Sequence, residues 1–135
     1  MEIGPIQASE FDDVVALWRR CALADDEEAA LEDIRRNQAA ANAVLLVGRV
    51  DGGVVATVMV GFDGHRAWAY YVATDPDRQD EGRGRAMMAA AGAWARERGA
   101  PKLMLMVAHA NQGVLGFYAK LGFEAAPMAV LRTPL

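Results

Sequence analysis

A chain of 135 residues, 53% of them hydrophobic and 24% charged, is long enough for one domain whose core needs neither disulfide nor metal. Its net charge of −4 speaks against nucleic acid as the main partner, because nucleic acid selects a basic face. No apolar run approaches the ~20 residues of a membrane span, and Met1–Gln7 carries no signal-peptide pattern, so neither a membrane nor an export route is expected.

In chain order, residues 3–7 read as a short extended segment. Ser9 followed by Asp12 reads as a helix N-cap with an acidic first turn. Phe11, Val14, Val15, Leu17, Trp18 and Cys21 then recur at helical spacing and form one apolar stripe. A second, more polar helix starts in the acidic run 25–28 and carries Ala30, Leu31 and Ile34. Residues 43–50 and 54–62 read as two strands joined at Asp51-Gly52-Gly53, and Asp63-Gly64 turns the chain into a third strand over 66–74. A long helix follows to about Arg98, with Gly99 as its C-cap. Residues 103–107 form a continuous apolar run, as expected of a strand covered on both faces. A last helix over 111–121, closed by Gly122, precedes short strands at 123–126 and 128–132. The order is β-α-α-β-β-β-α-β-α-β-β, a mixed α/β fold in which a three-strand meander leads into a strand-helix-strand crossover.

The chemistry concentrates between the third strand and the long helix, in Gln79-Asp80-Glu81-Gly82-Arg83-Gly84-Arg85. Two glycines ahead of a helix let the backbone approach a ligand and aim amides at it. The helix dipole adds positive potential, so the loop suits an anion, foremost a phosphate. A dinucleotide fingerprint requires a third glycine where Met87 stands, and a P-loop requires a Lys-Ser/Thr pair that is missing. The pattern that fits is Gln-x-x-Gly-x-Gly, on Gln79, Gly82 and Gly84.

That pattern resembles the pyrophosphate loop of the GNAT family of N-acetyltransferases, which bind acetyl-coenzyme A. A second motif strengthens the resemblance: Asn111, then Phe117-Tyr118-Ala119-Lys120-Leu121-Gly122-Phe123, is similar to the family's Asn…Phe-Tyr-x-x-Leu-Gly-Phe. With the element order, the resemblance spans nearly the whole chain and implies a single N-acetyltransferase domain over residues 1–135. Trp18-x-x-Cys21-x-Leu23, Thr57-Val58-Met59 and Gly61-Phe62-Asp63-Gly64-His65-Arg66 resemble a bacterial subgroup with a Gly-Tyr-Asp-Gly-His-Arg element and no assigned substrate. Ribosomal-protein N-terminal acetyltransferases, beside which the subgroup stands, carry a glutamate in a Leu-Glu-Val setting that helps deprotonate the amine. This chain has Leu105-Met106-Val107 there and lacks that base.

The resemblance implies an acetyl transfer from acetyl-CoA to a primary amine, either a small molecule or a peptide or protein amino group, by direct attack in a ternary complex. The alternatives are a non-catalytic acyl-CoA-binding or regulatory module and a pure interaction domain. It also implies the roles. The amides of Gln79, Asp80, Glu81, Gly82, Arg83, Gly84 and Arg85 hold the pyrophosphate. Val72, Ala73 and Thr74 pair with the pantetheine arm where the family has a bulge, and the Val72 or Ala73 amide polarises the thioester. Tyr118 is the candidate general acid, and Asn111 contacts the arm, caps the last helix, or does both.

The base stays open among Asp63, His65, Asp75 and a water relay. His65 has the suitable unperturbed pKa and is the titratable candidate carried forward. Asp80 and Glu81 are unusual neighbours for a phosphate and are expected to face solvent or pair with Arg78, Arg83 and Arg85. The acidic run 25–28 reads as a solvated helix start, or as an attractor for a cationic amine. Cys21 is the only cysteine and reads as core. A lone cysteine permits no internal disulfide and fits a cytoplasmic protein. With His65 and His109 the only histidines, no metal site is expected. A monomer or homodimer is expected.

Overall fold

Period-2 alternation puts successive side chains of β2 (Ala43–Val50) and β3 (Gly53–Phe62) on opposite faces of one sheet. The structure, a computed structural model, describes residues 1–79 and 81–135. Among the described residues the sheet order is β1 (Glu2–Pro5), β2, β3, β4 (Ala67–Thr74), β5 (Leu103–Leu105). The first four strands pair antiparallel with one another, and β5 lies parallel to β4 after the crossover through α3 (Arg83–Glu97). The sheet is therefore mixed, as the element order predicts. No helix among the described residues is long and apolar enough to cross a membrane.

Each face has its own core. On one, α1 (Phe11–Arg20) and α2 (Glu27–Ala39) bury Val14, Val15, Leu17, Trp18, Ala30 and Ile34 against Leu45, Val47 and Ala73. On the other, α3 buries Met87, Met88 and Ala91 against Leu46, Ala56, Val58, Val60 and Ala69. The methionines of α3 are thus core residues, filling space beneath a helix whose alanines allow close approach.

Several local expectations are corrected. Ser9 does not cap α1: residues Ala8–Glu10 form a 3-10 turn, and Glu10 reaches back to accept from the Gln7 N–H at 2.9 Å. The cap of α2 is Asp26, whose Oδ1 accepts from Glu28 and Ala29 N–H at 3.0 and 3.2 Å. The last helix begins later than predicted. Residues His109–Val114 are 3-10, kinked at Asn111, and only Leu115–Lys120 are α-helical (α4).

β5 is a half-exposed edge of three residues, not a strand covered on both faces. Nor do the strands expected at 123–126 and 128–132 form among the described residues. Met128, Val130 and Leu131 stand 73%, 67% and 92% exposed. The edge next in the sheet, that of β5, offers a strand there only three residues to pair with. Pro127 supplies no N–H, and Met128 N–H closes on Ala126 O at 2.9 Å in a tight turn around it.

One ion pair ties the N-terminal segment to the sheet. Arg49 meets Glu10 in two bonds, Nε–Oε2 at 2.6 Å and Nη2–Oε1 at 2.7 Å, with both side chains nearly buried. Hydrogen bonding from Arg49 depresses the Glu10 pKa below its ordinary value despite burial. A depressed carboxylate contributes stability that is complete above its unfolded pKa and lost as pH falls through the folded one. Glu10→Gln should therefore cost about 2 kcal/mol at neutral pH. Its urea unfolding curve should approach that of the unaltered protein below about pH 4. A constant gap across that range would show that the charge is not what matters.

Candidate active site

The site is organised by an irregularity in β4. Thr57 lies opposite Ala73 and Met59 opposite Tyr70, so Tyr71 and Val72 together face the single residue Val58. This is a β-bulge on β4, and Tyr71 takes φ +51, a conformation that costs a residue with a Cβ. β4 pairs with β5 only from Ala67 to Ala69. Beyond that point β5 ends while β4 continues to Thr74, which opens a gap beside Tyr70–Thr74.

Backbone direction follows from the pairing. Asp75 N–H donates to Val55 O at 2.8 Å. Alternate residues of an antiparallel strand address the same neighbour, so Ala73 also faces β3 while the Thr74 amide faces the gap.

At the end of β4, Asp75 caps a turn over Pro76–Arg78 by accepting from Asp77 N–H at 2.9 Å. Gly82 then takes φ +74 as the N-cap of α3. The first amides of that helix, on Arg83, Gly84 and Arg85, precede the first intrahelical donor, Ala86 N–H to Gly82 O at 3.1 Å. A Cβ on Gly84 would lie 3.0 Å from the Phe117 ring and 3.7 Å from Thr74 Cγ2, so a side chain there must push the ring aside. This contact joins the glycine loop, the end of β4 and α4, so the two sequence motifs meet in space.

The loop's acids are held by arginines. Glu81 pairs with Arg83 at 2.7 Å, and Asp77 and Asp75 pair with Arg20 at 3.0 and 2.8 Å. Asp80, the other acid expected to avoid the phosphates, lies outside the described residues.

Tyr118 is half-buried on the α3 side of the sheet, edge-on to Phe117 and Phe123 with ring centroids 5.0 and 5.7 Å away. Burial raises its pKa, so the phenol stays protonated. Asn111 is exposed in the segment between β5 and α4 and does not cap α4, whose N-cap is Val114.

His65 is not brought to this site. It stands exposed in the β3–β4 turn, beside Arg66, at the end of β4 remote from the glycine loop. Roughly 20 Å of extended strand separates it from the bulge. Asp63 is spent on that turn, its Oδ1 accepting from His65 and Arg66 N–H at 2.7 and 2.8 Å. Those bonds, and for Asp75 the Asp77 amide and Arg20, hold both carboxyls below their ordinary pKa and make them poor bases. Cys21 is no nucleophile. Burial pushes its pKa up, and its thiol donates to Thr74 O at 3.2 Å.

Sequence reasoning missed the other side of the bulge. A cleft of about 620 Å³ opens there, lined by Leu23, Asp33, Arg36, Asn37, Met59, Tyr70 and Tyr71. Tyr71 donates its phenol to Asp33 Oδ2 at 2.6 Å, and Asp33 is also held by Arg36. Burial and the Asp33 carboxylate raise the Tyr71 pKa, so Tyr71 remains a donor. The acidic run 25–28 is largely engaged elsewhere: Asp26 caps α2, Glu27 faces Arg19 at 3.7 Å and Glu28 faces Arg35 at 3.0 Å. No local pattern announces this cleft, because its walls come from α2 and the bulged strand, which are far apart in the chain.

Comparison with known proteins agrees with this architecture. The profile of the acetyltransferase (GNAT) family matches residues 11–123. An acetyltransferase of Yersinia enterocolitica is 37% identical over 131 residues, spanning 97% of this chain and 93% of that protein. The aminoglycoside antibiotic 6'-N-acetyltransferase of Acinetobacter haemolyticus superposes with a TM-score of 0.85 at 18% identity, over 100% of this chain and 99% of that one. A predicted acetyltransferase of Clostridium acetobutylicum, solved with acetyl-CoA, gives 0.79 at 15% identity, over 98% and 95%. With the bulge, the glycine loop and the profile match in agreement, this chain belongs to the acetyltransferase (GNAT) family.

Proposed function

We propose that the protein transfers the acetyl group of acetyl-CoA directly to a primary amine held in the cleft beside α2. The observation that carries this reading is the two-sided opening at the β4 bulge. The glycine loop and Tyr118 lie on one side, and a cleft with a carboxylate lies on the other.

The residues present fit the donor. The amides of Arg83, Gly84 and Arg85 and the positive end of α3 would take its pyrophosphate. The free edge of β4 at Val72 and Thr74 would pair with its amide-bearing arm. The Val72 N–H would hold the thioester oxygen as charge develops there. Tyr118 would give its proton to the departing sulfur.

Asp33 and Arg36 give the acceptor a polar, charge-balanced wall, and water relayed to backbone carbonyls removes the amine's proton. An α-amine titrates near pH 8, so weak base assistance suffices and the missing glutamate at Met106 is not disabling.

The test is thiol release from acetyl-CoA with a panel of small amines and peptides with free N-termini. We expect acceptor-dependent release and initial-rate lines that intersect, as direct transfer requires. Tight acetyl-CoA binding with no transfer across the panel would instead identify a regulatory acyl-CoA-binding module.

A further inference from the structure

We infer that Thr57 and Trp18 are positioning residues for the transfer, acting through the peptide unit that joins Tyr71 to Val72. The inference rests on the reading above, in which that unit's N–H holds the thioester oxygen.

Thr57 is a polar residue with 0% exposure on the face that packs against α1. Its hydroxyl donates to the Tyr71 carbonyl at 2.8 Å, and its oxygen accepts from Trp18 Nε1–H at 2.9 Å. Indole N–H is only a donor, so Trp18 occupies the hydroxyl's acceptor side and leaves its proton for Tyr71. In a trans peptide the C=O and the following N–H point in opposite directions. Clamping the Tyr71 oxygen to Thr57 therefore aims the Val72 N–H away from β3, into the gap where β5 has ended.

The same tyrosine is held twice more. Its ring stacks on Trp18 with centroids 3.7 Å apart and planes within 9°, and its phenol is tied to Asp33 at 2.6 Å. A residue at φ +51 relaxes unless its surroundings hold it there, and these contacts do so. The clamp also has a wall in common with the acceptor cleft, because Asp33 and Tyr71 line it.

The experiment compares acetyl-CoA with CoA by titration calorimetry, which needs no acceptor. Thr57→Val removes the hydroxyl at nearly constant volume. We expect CoA affinity to be unchanged and the ratio of acetyl-CoA to CoA affinity to fall about five-fold, the worth of one hydrogen bond. Thr57→Ser should restore the ratio, which a mere packing role would not require.

Should Thr57→Val fail to fold by circular dichroism, Trp18→Phe carries the same test. Phenylalanine keeps a ring against Tyr71 but offers the Thr57 oxygen no N–H, and the ratio should fall again. Binding of both ligands with an unchanged ratio in the folded variant overturns the inference while leaving the proposed function standing. Absence of binding of either ligand to the unaltered protein overturns both.

Discussion

Replacing Tyr118 by phenylalanine should lower kcat for acceptor-dependent thiol release by about 100-fold, the usual size of a lost general acid, with acetyl-CoA affinity unchanged. The substitution keeps the ring, and with it the edge-on contacts to Phe117 and Phe123 that seat α4 on the sheet. Folding should therefore be preserved, and the loss should fall on the chemical step. Burial raises the Tyr118 pKa, so the phenol keeps its proton throughout the pH range in which an amine acceptor becomes deprotonated. The rate should then rise with pH as the acceptor loses its proton, with no fall on the alkaline side from Tyr118 itself below about pH 10. Full turnover in Tyr118→Phe would remove the tyrosine from the mechanism and leave the sulfur's proton to solvent.

The second large effect concerns stability. Trp18→Ala should destabilise the fold by about 4 kcal/mol, lowering Tm by about 10–20 °C. Trp18 is 0% exposed and lies among Val14, Val15, Ile34, Leu45 and Val47. Its removal leaves a cavity, takes the stacking partner from Tyr71 and leaves the Thr57 oxygen without its donor. Trp18→Phe should cost less, because a ring remains to cover Tyr71, yet it still loses the indole N–H. Urea unfolding of the two variants separates the terms. A loss of under about 2 kcal/mol for the alanine would mean that the neighbours collapse into the space.

Much of the architecture was legible because local chemistry is strong there. The stripe on α1, the hairpin turn at Asp51-Gly52, where φ is positive at both residues, and the helix end at Gly99 all carry local signals. The glycine loop was legible for the same reason: Gly82 needs its positive φ and Gly84 its lack of a side chain. Where local signals were weak, the reading slipped. The apolar residues at 128–131 have strand character, but a strand exists only with a partner edge, and β5 offers three residues. His65 was a plausible base by residue type and sequence distance, and the direction of β4 carried it away from the loop. Asp33 and Arg36 carry no local signal, because their place in the cleft depends on α2 lying against the bulge.

By itself the sequence determined the order of elements as far as the last helix, the two motifs and the anion-suited loop, since each depends on residues within a turn or two of one another. Only the tertiary structure decided what those parts surround. It bulged β4 at Tyr71, parted it from β5 and brought Phe117 against Gly84. It also joined the Trp18 N–H, the Thr57 hydroxyl and the Tyr71 carbonyl in one hydrogen-bonded chain. These are contacts between segments far apart in the chain, and no local propensity encodes them. They exist because two apolar faces must be buried at once, and the bulged strand lies between them.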